Sequence, residues 1–395
     1  MLVLRKQYRD KLKAFQNQPI IKVITGIRRC GKSTLLSMYR EELIASGVDS
    51  SACISINFED LAFENLLEYH ALYQYILDHL QPGCMNYLFL DEIQLVPLFE
   101  KVIDSLQLRN DVDIYITGSN AQILSGELAT RLSGRYIEVS MLPLSFAEFY
   151  ELVGGDRTEA FTRYYRYGGF PYAAGITDTN TTRDYIEGIL NTILVKDIIN
   201  RGKIGDPMLL NNLVRFMADN VGNPTSVKKI ADTLTSAGRR TTTNTIDSYL
   251  SMLLQSFMLY ECNRFDIKGK QHLQTRSKYY LADTSIRTFL LGESARDIGH
   301  VLENIVYLEL LRRGWRVSIG KMNTLEVDFV ATRGDELEYF QVAASVMDEA
   351  TFEREFAPLR MIHDHYPKTV LTMDALPMVE NGIRQKNIID FLLDK

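Results

Sequence analysis

Gly26-Ile27-Arg28-Arg29-Cys30-Gly31-Lys32-Ser33 fits the pattern G-x-x-x-x-G-K-[ST] at every position. The chemistry of such a loop is phosphate binding. Its glycines let the backbone turn so that successive N–H groups and the start of the following helix surround a β-phosphate. Lys32 then neutralises β and γ oxygens, and the Ser33 hydroxyl is a ligand for Mg2+. With Thr34 at the loop's exit, the expected nucleotide contacts run from Gly26 to Thr34.

A second constellation, Tyr87-Leu88-Phe89-Leu90-Asp91-Glu92, ends an apolar run in two carboxylates. Asp91 is expected to hold Mg2+ together with Ser33, and Glu92 to orient and deprotonate an attacking water. Together these residues predict ATP hydrolysis, with ATP and Mg2+ as the bound species and Lys32 and Glu92 as catalytic groups. Ser119 or Asn120, in Thr117-Gly118-Ser119-Asn120, is the candidate polar sensor of the γ-phosphate or the water; a plain Gly-Ser turn is the alternative. Arg131 and Arg135 are candidate arginine fingers, with surface salt bridges as the competing role. Arg28 and Arg29 either add charge to the loop or point to solvent.

The elements that must position these groups follow from the hydropathy pattern. Five apolar runs, 20–25, 52–58, 86–90, 112–117 and 136–140, predict buried strands, and helical periodicity between the first four predicts a parallel sheet covered on both sides. From Pro143 the chain becomes helical and aromatic, broken by YGGFPYAAG at 167–175. Residues 208–260 carry three apolar periodic segments, with Ser226 and Thr241–Thr243 as N-caps, followed by two strand-like runs joined through Lys268, Gly269 and Lys270. That order outlines a winged helix-turn-helix. A last unit, from near Ile298, has the order helix, three strands, helix, strand.

The segments GIRRCGKSTLL, NYLFLDEIQ, ITGSN, LSGRYIEVSMLPLSFAEF and YGGFP resemble the prokaryotic predicted ATPases of the AAA+ superfamily. The resemblance spans nearly the whole chain. It implies ATP binding, DNA association and an α/β fold with a P-loop parallel sheet of the additional-strand type. A helical lid, a winged helix-turn-helix and a C-terminal restriction-endonuclease-like domain would follow. The expected division is 1–142 ATPase core, 143–207 lid or linker, 208–283 winged helix and 284–395 nuclease-like domain.

Residues 208–282 hold ten basic side chains (among them Lys278) against five acidic ones. Arg239, Arg240, Lys268 and Lys270 are expected to contact DNA phosphates, although such modules also bind proteins. In the last unit Glu303, Glu326 and Asp328 resemble a nuclease's metal-holding acids. Gln341 and Ala343 stand where a carboxylate and a lysine are needed, so cleavage is not expected.

Composition bounds the remaining possibilities. The 395 residues are 46% hydrophobic and 24% charged, which excludes a disordered or collagen-like chain, and a formal charge of -6 excludes a polycation. Cys30, Cys53, Cys84 and Cys262 have no metal or redox spacing, and the six histidines are scattered. Without a leader-like or membrane-spanning stretch, a cytoplasmic location with no membrane partner is expected. The sequence predicts an ATPase coupling nucleotide state to DNA or a protein partner. A slow nucleotide-gated interaction switch, an ATP-licensed nuclease and homo-oligomer formation stay open.

Overall fold

A computed structural model of the chain describes residues 3–124, 134–199, 204–269, 271–292 and 298–394. It divides into two compact units, Met1–Met141 with Gln255–Phe257, and Leu142–Leu254 with Met258–Lys395.

In the first unit the apolar runs form strands β1 (Ile21–Thr25), β2 (Cys53–Asn57), β3 (Asn86–Asp91), β4 (Val112–Gly118) and β5 (Tyr136–Ser140). Every residue of β1 and β3 is buried, as both faces of an interior parallel strand must be. The sheet order is β2-β3-β4-β1-β5 and all pairings are parallel. Placing β4 between β1 and β3 is the additional-strand arrangement. Register sets Thr25 beside Gly118 and Ser140, and Asn57 beside Asp91, so that the C-terminal ends of the strands form one edge. Helices Lys32–Ala45, Tyr69–His79 and Phe99–Gln107 connect the strands. Ile21, Val23, Leu88, Leu90, Ile114 and Ile116 form the centre of the core.

One charge pair lies inside this sheet. Lys22 and Asp113 are 0% and 1% exposed and ion-paired, and Asp113 also accepts hydrogen bonds from the Tyr115 hydroxyl and the Asn17 N–H, both at 2.9 Å. Burial pushes the Lys22 ammonium below its ordinary range, opposed by the Asp113 charge.

The second unit begins with a helical layer. Ser145 opens helix Phe146–Val153 with a reciprocal capping box to Glu148. Helix Arg157–Tyr167 ends at the glycine pair of the YGGFP segment, which has a structural explanation. Gly168 has φ +71°, and a Cβ there would lie on the Asp283 carboxylate; the Gly169 N–H donates to Asp283 Oδ2 at 2.7 Å. Burial pushes the Asp283 carboxyl up to about 6.

The three expected helices are Pro207–Asp219, Val227–Ser236 (capped by Ser226) and Thr243–Gln255. Strands β6 (Leu259–Asp266) and β7 (Gln271–Leu281) follow as an antiparallel pair. Helix Ile298–Arg312 leads to β8 (Arg316–Met322), β9 (Leu325–Arg333) and β10 (Glu336–Val342), then helix Glu349–Arg360 and β11 (Lys368–Thr372). The short strands β12 (Met378–Glu380) and β13 (Ile383–Asn387) were not anticipated. All eight strands form one sheet, β12-β13-β11-β10-β9-β8-β6-β7, and β6 pairs in parallel with β8. The strand pair after the three helices therefore shares its sheet with the residues beyond 283, and no break in the sheet falls at that expected boundary. Among the described residues no helix is long and apolar enough to cross a membrane.

Candidate functional site

The phosphate loop joins the C-terminal end of β1 to helix Lys32–Ala45. Gly26 has φ +146° and its Cβ position lies 2.1 Å from the Met141 carbonyl oxygen, so a side chain there would collide with backbone. Gly31 (φ +106°) and Arg29 (φ +68°) complete the turn in the left-handed region. Ile27 and Cys30 are buried, and the Cys30 carbonyl accepts from the buried Arg5 guanidinium at 3.1 Å. Burial pushes the Cys30 thiol up, which argues against a thiolate nucleophile in the loop. Arg28 turns to Glu59 at 2.8 Å, and Arg29 is exposed. Lys32 is buried, its Nζ donating to the carbonyls of Gly26 (3.0 Å) and Ile27 (3.3 Å) and lying 3.9 Å from Glu92 Oε1. Ser33 and Thr34 are exposed on the first helical turn.

The ends of β3 and β4 bring the second constellation to the same edge. Asp91 accepts hydrogen bonds from the hydroxyls of Thr117 and Ser33. Burial pushes the Asp91 carboxyl above the ordinary range, and those two hydroxyls oppose the shift. Glu92 has a left-handed backbone, φ +57°, which costs roughly 1–2 kcal/mol in a residue with a Cβ. Its N–H is held by Thr117 Oγ1 at 2.9 Å, and its Oε2 accepts from Ser119 Oγ at 3.0 Å and from Gln94 Nε2. A neighbouring loop thus fixes one oxygen of Glu92, while the other turns toward Lys32.

The structure places Ser33, Asp91, Glu92, Lys32 and Ser119 together. Asn120 is buried two residues past the end of β4, and it is Ser119 whose hydroxyl reaches Glu92. Sequence reasoning assigned no role to Thr117 or Gln94; Thr117 donates to Asp91 and accepts from the Glu92 N–H. Arg135 stands apart from this cluster. It precedes β5 beside Ile21, at the opposite end of the sheet from the loop, and pairs with Asp104 at 3.5 Å, so it is not brought to the phosphate loop of its own chain. Arg131 lies outside the described residues.

The pairing of Ser33 with the Asp91 carboxylate is a hard-oxygen donor set of the kind Mg2+ takes, and the loop that leads into it is held in its turn by Gly26 and Gly31. The residues fit a magnesium nucleotide.

On the second unit, Arg240, Lys228, Lys229 and Lys268 are exposed and Arg239 is partly so; Lys270 lies outside the described residues. Lys278 is not part of that surface. Although counted with the basic side chains of this segment, it is 4% exposed and bound by Glu303 and Glu326, which removes it from any outward-facing basic surface.

Fold and loop geometry define a nucleotide-binding α/β protein, and comparison with known proteins places it more closely. The model of an AAA domain matches residues 18–150, and that of a domain of unknown function matches 158–297. An uncharacterized protein of Haemophilus influenzae is 37% identical over 400 residues, covering 99% of both chains. An uncharacterized protein of Methanocaldococcus jannaschii is 30% identical over 351 residues, 85% of this chain and 77% of its own. Among solved structures, the Walker-type ATPase of Pyrococcus abyssi is similar in fold, with a TM-score of 0.52 at 16% identity over 73% of this chain and 96% of that one. The chain belongs to one family with the Haemophilus protein, which it matches end to end, and its residues 18–150 match an AAA domain.

Proposed function

We propose that the protein is a Mg2+-dependent ATP phosphohydrolase whose nucleotide state is coupled to the binding of duplex DNA. The observation that carries the hydrolytic reading is the clamped Glu92, with Oε2 held by Ser119 and Gln94 and the side chain 3.9 Å from Lys32. Lys32 leaves its loop carbonyls to neutralise the β and γ oxygens, and the loop N–H groups orient the phosphate chain. Ser33 and Asp91 would hold the metal, which would draw charge from the phosphate oxygens. Glu92 takes the proton of the attacking water on Oε1, because Oε2 is already committed. Ser119 and Thr117 act by positioning, the first on the carboxylate and the second on both acids.

The DNA reading is supported by the exposed Arg240, Lys228, Lys229 and Lys268 on a three-helix and strand-pair segment. Replacing Arg239 and Arg240 together by Ala is expected to weaken duplex binding and to lower the slope of log affinity against log salt by about two, one per lost phosphate contact. Fluorescence anisotropy on a labelled duplex at several salt concentrations measures both quantities. Unchanged affinity and slope would remove this surface from the account.

A further inference from the structure

Lys278 projects from β7 into three carboxylates contributed by two other elements. Its Nζ lies 2.9 Å from Glu303 Oε1 on helix Ile298–Arg312, and 2.8 Å from Glu326 Oε1 and 3.7 Å from Asp328 Oδ1 on β9. Each carboxylate turns one oxygen to the ammonium. The second oxygen of Asp328 accepts from the Val342 N–H at 2.9 Å, that of Glu326 lies 3.4 Å from Arg264, and that of Glu303 lies 4.0 Å from His300. Tyr280, fully buried, donates to Glu303 Oε1 at 2.6 Å. Gln341, on β10, is also committed: its Oε1 accepts from the Asp328 N–H at 2.6 Å and its Nε2 donates to Glu355 at 2.9 Å.

Three convergent carboxylate oxygens around one point are what a divalent cation requires, but at roughly 2.0–2.6 Å rather than hydrogen-bond distance. Here the point is filled by nitrogen. Among the described residues no three acidic, His or Cys side chains, these included, stand as a ready metal site. A lysine assisting a metal-bound water would stand beside the carboxylate oxygens, not at their centre. The charges agree with this reading: burial alone would lower the Lys278 ammonium, but Glu303, Asp328 and Glu326 raise it above its ordinary range. Burial and the Glu303 charge push Asp328 up to about 7.

We propose that Lys278 is the resident cation of this site: its ammonium occupies the position a divalent metal would take, so that the native cluster is a metal-free clamp joining β7 to β9 and helix Ile298–Arg312, and neutralising Lys278 converts it into a divalent cation site. The absent lysine at position 343 is then replaced from outside the strand, but in a position that closes the centre rather than activating it.

The test is Mn2+ binding to the full chain, followed by electron paramagnetic resonance of free Mn2+ and by thermal unfolding, without nucleotide. Every variant carries Asp91→Asn so that the phosphate site contributes no metal. With Lys278 present, no binding is expected up to about 1 mM Mn2+, a range that weak carboxylate sites still register. Lys278→Ala is expected to bind one equivalent and to gain about 5 °C in its unfolding midpoint at saturation. Adding Asp328→Asn should abolish both effects. Should Lys278→Ala fail to fold without metal, refolding on Mn2+ addition counts as the expected result. Should it fail under both conditions, Lys278→Met with Glu326→Gln, which carries one carboxylate fewer, takes its place. Mn2+ binding by the protein that retains Lys278, lost on Asp328→Asn, would overturn the proposal. So would a folded Lys278 variant that binds none.

Discussion

Glu92→Gln is expected to lower Mg2+-dependent ATP turnover about 10²–10⁴-fold while leaving nucleotide affinity little changed. The substitution keeps the size of the side chain and an amide oxygen that can still accept from Ser119 Oγ, which lies 3.0 Å from the native carboxylate. What it removes is the basic oxygen on the Lys32 side. Because Lys32, Ser33 and Asp91 are untouched, loss of turnover with retained binding separates the proton acceptor from the phosphate cradle. Single-turnover phosphate release beside equilibrium binding of a fluorescent ATP analogue reads the two effects separately. If turnover stayed at the native rate, Glu92 would be a structural carboxylate and the hydrolytic base would have to be sought elsewhere.

The second large effect is on stability. Lys22→Met should destabilise the first unit by about 3–5 kcal/mol, because it leaves Asp113 buried with hydrogen-bond donors but no countercharge. Replacing the pair by Lys22→Met with Asp113→Leu should recover most of that loss, since the desolvation of both charges disappears together. Urea unfolding, followed by a probe in the first unit, measures both variants. A single substitution as stable as the native chain would mean that the pair contributes nothing beyond packing. The location matters for function, because Lys22 lies on β1, the strand that ends in the phosphate loop.

The parallel sheet was legible because a strand buried on both faces has to be written in apolar residues. The runs at 21–25 and 86–91 are mostly apolar, and their ends fell within a residue of the expected ones. The loop was legible for a related reason: only glycine at position 26 avoids the Met141 carbonyl, so the motif states its own geometry. Less was legible where a role depends on register or on distant partners. The separation of Arg135 from the loop of its own chain was hidden, because it follows only from the pairing of Ile21 with Tyr136. Lys278 looked like one more basic residue of the strand pair, because nothing local reveals Glu303 and Asp328 as its partners. The continuity of β6 with β8 was equally hidden, since parallel pairing across fifty residues leaves no short-range signal. Strands β12 and β13 escaped notice because each is short and carries charge.

The central claim, that the clustered Lys32, Ser33, Asp91 and Glu92 bind and hydrolyse ATP, is tested most directly by phosphate release from Mg2+-ATP by the purified chain beside Lys32→Ala. Metal-dependent turnover is expected in the native protein, lost together with nucleotide affinity when Lys32 is removed. Equal turnover and equal affinity in the two proteins would contradict it.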